Sequence, residues 1–237
     1  VIDQKNSDGK TALAMARAKG FHELASVLLK AKAQNASIAA IASHSLPLPS
    51  AFNTQAHTIR ELVSRKASLE CVDQDGNTPL LFAVKHSNLA DVSLLLSNKA
   101  NIDARNNHGC NALMLATMHA NARNGPLIDR LIGAKAAVDK KNKQGKTPLM
   151  VAAYHSNQGV VKKLLSAKAN VNSYDEQGNT ALSLAARHGC VSVVKLLLSA
   201  KANVKAIDNE GNTALYWALR FGNAACVKLL RAAGAKE

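Results

Sequence analysis

A short motif returns along this chain at intervals close to 33 residues. Its fullest form, DQDGNTPL, ends at Leu80, and later copies keep the glycine and the leucine at the same places. The clear copies are recognised by Gly9, Gly76, Gly109, Gly145, Gly178 and Gly211. A degenerate copy fills the widest gap, because Pro47-Leu48 matches Pro79-Leu80, and an insertion around residues 120–125 lengthens one interval. Such a period is typical of stacked repeats, since one unit cannot bury its apolar face alone.

Each copy predicts the same local structure. The glycine suits a tight turn because it tolerates positive φ, and the threonine that follows can cap a helix. Proline, where present, fits the first helical turn. In the sixth copy we expect a short first helix over 181–188 and a second helix over 191–198 with Val and Leu on one face. An extended piece over 202–204 then leads to the next turn.

This pattern resembles the ankyrin repeat. The resemblance rests on the G-x-T-[PA]-L cores, the Leu-x-x-Ala spacing of the first helix and the Val-Val-x-Leu-Leu second helix. It implies an all-α solenoid of stacked helix-turn-helix units with short β-hairpin or turn tips. We expect residues 1–237 to form one solenoid with repeats at 1–33, 34–69 (degenerate), 70–102, 103–138 (with the insertion), 139–171, 172–204 and 205–237. The first residues align with the end of a preceding repeat, which hints at further repeats or another domain upstream.

The chain departs from the family pattern at two kinds of position. The usual His after Thr-Pro-Leu is absent, and Asn111 replaces the threonine of the fourth copy. A lysine follows the second helix where the family commonly has glycine, at Lys32, Lys66, Lys99, Lys135, Lys168 and Lys201. If the backbone is left-handed there, each lysine costs roughly 1–2 kcal/mol relative to glycine. The column is either a basic ridge for an acidic polymer or membrane surface, or one lysine copied by repeat duplication.

Composition narrows the classes of function. Aromatic residues are only 3% of the chain, which disfavours a deep enzyme pocket, and the sequence contains no G-x-S-x-G, H-E-x-x-H or phosphate-binding glycine loop. We therefore predict no enzyme and no cofactor. Four dispersed cysteines without a C-x-x-C pair favour neither disulfides nor zinc and indicate a reducing, intracellular compartment, the cytoplasm. No apolar run approaches the length of a membrane helix.

Positive charge is concentrated in the fifth repeat. The net charge of the chain is +14, and residues 139–171 hold seven basic side chains and one acid, Asp139. Lys140, Lys141, Lys143 and Lys146 surround one predicted turn. This cluster is either an anion-facing tip or a solvated group of lysines on an exposed turn.

Equivalent positions in successive repeats form columns, and the columns predict a contact surface. Tyr154 and Arg187 share a first-helix column with Lys85, Met118 and Arg220, while Tyr174 is the tip equivalent of Lys141. Tyr and Arg are enriched at interface hot spots. Tyr216 and Phe221 are expected to face the groove, or to form a terminal apolar cluster. The predicted contact residues are Lys141, Lys143, Lys146, Tyr154, Tyr174, Arg187, Met118, Tyr216 and Phe221.

A column of histidines, His86, His119, His155 and His188, is better explained as an inherited helix-end residue than as a metal site. Residues one repeat apart are separated by roughly 8–10 Å, whereas zinc needs its ligands at about 2 Å.

These observations favour a monomeric module that binds another protein with an acidic or mixed surface. Two alternatives stay open: a binder of nucleic acid or anionic membrane through the basic surface, and a scaffold segment of a larger protein. Ankyrin arrays also occur in effectors that intracellular bacteria deliver into host cells, and this composition is compatible with such a protein acting in the host cytosol.

Overall fold

The computed structural model describes residues 57–64, 66–118 and 124–236. The predicted repeat 1–33, most of the predicted repeat 34–69, Lys32, His119 and the insertion at 120–123 lie outside these residues. The chain divides into two compact units, 1–74 and 75–237. The described part of the first unit contains one helix, α1 (His57–Ser64).

The second unit is a series of helix pairs. Its described residues form five pairs: α2 (Pro79–Lys85) with α3 (Leu89–Ser97), α4 (Ala112–Met118) with α5 (Gly125–Gly133), α6 (Pro148–Tyr154) with α7 (Gln158–Ser166), α8 (Ala181–Arg187) with α9 (Val191–Ser199), and α10 (Ala214–Arg220) with α11 (Ala224–Ala232). Extended pairing within the described residues is limited to isolated bridges, such as Tyr174 with Thr180. The expected all-α repeat architecture is confirmed.

The first helices begin where the threonines predict. The Thr180 side chain accepts a hydrogen bond from the Ser183 amide, and the Ser183 hydroxyl accepts one from the Thr180 amide, which closes a capping box. Pro79 and Pro148 occupy the first helical turn, as expected. Asn111 caps α4 in place of the missing threonine, because its Oδ1 accepts a hydrogen bond from the Met114 amide at 3.0 Å.

Helices of the same kind stack on one another. Each first helix packs against the first helix of the next pair, each second helix against the next second helix, and the two helices of a pair against each other. Fully buried alanines such as Ala152 and Ala185 let the first helices approach closely, while Val194 and Leu197 seal the second layer. A core of Ala, Val and Leu therefore compensates for the scarcity of aromatic residues.

The turns between pairs form a second stack, bonded through the backbone. The Lys143 amide donates to the His108 carbonyl at 3.0 Å, and the Glu176 amide donates to the Gln144 carbonyl at 3.1 Å. Within each turn a side chain holds the loop: Asn142 Oδ1 accepts from the amides of Gln144 and Lys146. These contacts position the tip side chains at a fixed step.

The lysines after the second helices adopt a left-handed backbone, which is the condition stated in the sequence analysis. Their φ angles lie between 53° and 64° at Lys66, Lys99, Lys135, Lys168 and Lys201, and Gly234 takes the equivalent position at 89°. The Lys201 amide donates to the Leu198 carbonyl and the Ala202 amide to the Leu197 carbonyl. This is the Schellman bonding pattern, with lysine where glycine is usual.

Candidate functional site

Equivalent positions of the hairpin tips form one row, Arg105, Lys141, Tyr174 and Ile207, and its two basic side chains each bond to the next tip. Arg105 donates to the Lys141 carbonyl at 2.9 Å, and Lys141 Nζ donates to the Tyr174 carbonyl at 2.7 Å. The same ammonium lies 4.6 Å from the centroid of the Tyr174 ring. Tyr174 and Ile207 follow in the row and are 62% and 60% exposed. The row thus runs from cationic to apolar along the stack.

The other two tip lysines of the predicted contact set lie on the turn that Asn142 holds. Lys143 is exposed and Lys146 is half-buried. In the part of the chain that the structure describes, neither side chain forms an ion pair with a carboxylate. Both ammonium groups are therefore available to an outside anion.

The first-helix column lies at the helix ends, as the repeat spacing predicts. Met118, Tyr154, Arg187 and Arg220 are the last residues of α4, α6, α8 and α10, and all four are exposed. Lys85 ends α2 and forms an ion pair with Asp75 at 3.5 Å. This pair is open to solvent, so it contributes little to stability.

Side chains of this column contact the next repeat through the position one residue further on. The Tyr154 ring meets the His188 ring edge-on, with centroids 4.5 Å apart. The Arg187 guanidinium lies over Trp217 at 4.8 Å and over Phe221 at 5.2 Å. We call Tyr154, His188, Arg187, Trp217 and Phe221 the aromatic track. It joins residues that the sequence assigned to two separate candidate surfaces.

Polar contacts fix the far end of the track. Trp217 Nε1 donates to Asp208 at 2.9 Å, and Asp208 in turn holds the tip of its own repeat by accepting from the Asn212 amide. Tyr216 adjoins the track through an edge-on contact with Trp217, at 5.3 Å between centroids. These contacts hold the side chains at this end of the track in one orientation.

Tyr216 occupies a position that the inner repeats bury. Its equivalents Leu81, Met114, Met150 and Ser183 are at most 5% exposed, whereas Tyr216 is 41% exposed. Among the described helices, α10 packs against one neighbouring first helix, α8, which accounts for this exposure.

The histidines mark the ends of first helices. His86, His155 and His188 are the C-cap residues of α2, α6 and α8. Loss of hydration lowers the pKa of His188, and the positive charges of Arg187 and His155 lower it further. No group of three or more metal-ligating side chains lies within the described residues.

Two members of the track and one tip residue were missed from the sequence. His188 and Trp217 entered no predicted contact set, because their places depend on the offset between stacked helices. Ile207 could have been found, since it continues the column of Lys141 and Tyr174.

The cysteines of the described residues are free thiols, and Cys110, Cys190 and Cys226 are buried. Burial raises the pKa of Cys110 and of Cys226, which keeps these thiols protonated and poorly reactive. Their positions make them packing residues of the core.

Stacked helix pairs with exposed tips and exposed first-helix ends define an α-solenoid repeat protein. A family model for ankyrin repeats (three copies) matches residues 49–124, 118–208 and 157–236. The chain therefore belongs to the ankyrin-repeat family. A search of curated proteins found no match to it.

Ankyrin repeats are generally protein–protein interaction modules without catalytic activity of their own. In the described part of the chain, no helix has the length and apolar character needed to cross a membrane.

Proposed function

We propose that this chain is a non-enzymatic protein-binding module whose partner lies across the aromatic track and the hairpin tips of the last three repeats. The observation that carries the proposal is the contact of Arg187 with Trp217 and Phe221, which links exposed residues of two repeats into one surface. Trp, Tyr and Arg are the side chains that most often dominate binding energy at interfaces.

The track is suited to binding because it is already ordered. Arg187 lies over the Trp217 and Phe221 rings, and Trp217 is held by Asp208, so little side-chain freedom remains to be lost on association. A carboxylate of the partner can bond the outer edge of the guanidinium while the rings take up apolar neighbours. This favours a partner surface that is acidic or mixed.

The lysines of the hairpin tips attract the partner by their charge, and the aromatic track provides the tight contacts. Lys143 and Lys146 are not engaged by carboxylates of the described residues, so they attract an acidic surface from a distance. Tyr174 and Met118 extend the contact area on either side. We expect association to slow as salt is raised, because screening shortens the reach of these charges.

The test is affinity capture from a cytosolic lysate treated with nuclease, with retained proteins identified by mass spectrometry. Tyr154→Ala with Arg187→Ala removes the centre of the track, and Lys141→Glu with Lys143→Glu and Lys146→Glu reverses the tip charge. Lys168→Ala with Lys201→Ala changes two exposed lysines that follow the second helices and serves as the matched control.

We expect a protein that is retained by the native chain and by the control but lost with the track variant, at a cost of about 2 kcal/mol or more in purified binding measurements. The tip variant should mainly lower the association rate. Equal retention by the native chain and the track variant would remove the aromatic track from the binding site.

A further inference from the structure

The second helices carry a basic face that is distinct from the tips. Residues 125–136, 158–169, 191–202 and 224–236 contain a single carboxylate, Asp129, which pairs with Lys163 at 2.5 Å. The same segments contain ten basic residues: Arg130, Lys135, Lys162, Lys163, Lys168, Lys195, Lys201, Lys228, Arg231 and Lys236. We call this surface the second-helix face.

The tips of the last two repeats carry acidic residues, whereas the second-helix face carries almost none. Asp175 and Glu176 lie in one turn, and Asp208 and Glu210 in the next. Much of the positive excess in the described part of the chain therefore lies on the second helices, where it adds Lys162, Lys195 and Lys228 to the lysine column noted from the sequence.

The exposed lysines of this face form two rows. The row Lys162, Lys195, Lys228 lies within the helices, and the row Lys135, Lys168, Lys201 follows their ends. Neighbours in a row are one repeat apart, roughly 8–10 Å, and Lys162 and Lys168 are about 9 Å apart along the chain direction. The rows make a field of positive charge rather than a single line.

A cleft opens within this field between α7 and α9. Its volume is about 770 Å³, and its lining includes Lys162 and Lys195 together with the hydroxyls of Ser156, Ser192 and Ser199. Lysine ammonium groups and serine hydroxyls are the donors that proteins direct at phosphate oxygens of nucleic acid. The cleft therefore adds hydrogen-bond donors to the charge.

We propose that the second-helix face binds the phosphate backbone of double-stranded nucleic acid without reading its bases. The phosphate backbone of a duplex protrudes, so it can enter the cleft and reach its hydroxyls. A flat bilayer surface would contact only the ammonium groups of the lysines. The described residues of these helices expose no large apolar side chain that could enter a membrane and no aromatic ring that could stack on single-stranded bases. The cleft borders the aromatic track at His188, but the lysines and serines that carry this proposal are not track residues, so it can be tested apart from the protein-binding one.

The test is fluorescence anisotropy with a labelled 20-base-pair DNA duplex and an RNA duplex of the same sequence, from 50 to 200 mM KCl. The variant Lys162→Gln with Lys195→Gln and Lys228→Gln removes one row of the second-helix face. The matched control, Lys141→Gln with Lys143→Gln and Lys146→Gln, removes the same charge from the tip. Circular dichroism checks that both variants keep the helix content of the native chain.

We expect the native chain to bind at least one of the two duplexes. Comparison of the two affinities shows whether the face prefers DNA or RNA. Loss of three phosphate contacts should reduce the slope of log affinity against log salt by about 2–3, and the affinity at 100 mM KCl by about tenfold or more. The tip control should lose less than about threefold in affinity and keep most of the slope.

Three results would overturn the proposal. The first is that the native chain binds neither duplex at 50 mM KCl. The second is that the tip control weakens binding as much as the second-helix variant does. The third is that phosphatidylserine vesicles or poly-glutamate compete as well as unlabelled duplex at equal charge. The last result would assign the face to a membrane or to an acidic protein.

Discussion

At the scale of single residues, the lysines after the second helices are the least expected choice. A left-handed backbone costs a residue with a Cβ roughly 1–2 kcal/mol, and a cation at a helix C-terminus recovers only about 0.3–1 kcal/mol. The chain keeps lysine at five described positions, although glycine stands at the sixth, Gly234. Stability alone does not select these lysines. Three of them, Lys135, Lys168 and Lys201, belong to the second-helix face, and the phosphate binding proposed for that face is a reason to retain them.

Replacement of Lys168 by glycine should stabilise the fold. At a φ of 64°, Lys168→Gly removes backbone strain, and after the entropy cost of glycine we expect a gain of about 0.5–1 kcal/mol in the free energy of unfolding. Lys162→Gly, in the middle of α7, should instead cost about 1 kcal/mol. Urea unfolding followed by circular dichroism compares the two variants, and destabilisation by Lys168→Gly would contradict the strain argument.

At the scale of the structural element, the hairpin tip is built from an acceptor side chain and a glycine. Asp175 accepts from the Gln177 and Asn179 amides within its turn. Gly178 supplies the positive φ of 79° and also lets the next tip approach, since a Cβ there would lie 2.8 Å from the Asn209 backbone nitrogen. One residue thus serves the turn and the stack.

The two roles of the tip glycine can be separated by substitution. Gly178 and Gly211 have nearly the same φ, but a Cβ on Gly211 would meet nothing within 4 Å. We expect Gly211→Ala to cost about 1–2 kcal/mol from the backbone alone. Gly178→Ala should cost a further 1–3 kcal/mol, roughly, because the stacked tips must move apart. Thermal or urea unfolding of both variants measures the difference, and equal losses would mean that tip stacking adds no constraint.

At the scale of the whole molecule, the second unit has the neighbour-only contacts of a solenoid. Each helix pair packs against the adjacent pairs, so stability is approximately a sum of repeat and interface terms. Trp217 is the one tryptophan of the chain and lies where Arg187 of the preceding pair covers it. Its fluorescence therefore reports on the interface between the last two described pairs.

Unfolding followed by two probes should separate the stability of this interface from that of the whole chain. We expect Arg187→Ala to move the urea midpoint of Trp217 fluorescence to lower concentration while the circular dichroism midpoint changes less. The Arg187 contact is local to one interface, so the loss should be about 0.5–2 kcal/mol there. Lys85→Ala, on the third repeat, is the control and should leave the fluorescence midpoint unchanged. Identical shifts in both probes would indicate a unit that unfolds as a single block.

The amino-acid sequence by itself determined the repeat, the helix pairs and their caps, and it raised a left-handed backbone at the lysines as a condition that the structure then met. Each of these depends on interactions within about 33 residues, and every copy of the motif repeats the same local chemistry. The sequence also placed the tip row and the first-helix column, because in-phase repeats bring equivalent positions side by side.

Only the tertiary structure decided which side chains meet. The offset between stacked helices sets Tyr154 against His188 and Arg187 against Phe221, rather than against their own equivalents. It also forms a cleft lined by Lys162 and Lys195, which come from two neighbouring second helices. Both outcomes depend on the geometry between repeats, which a one-dimensional period cannot specify.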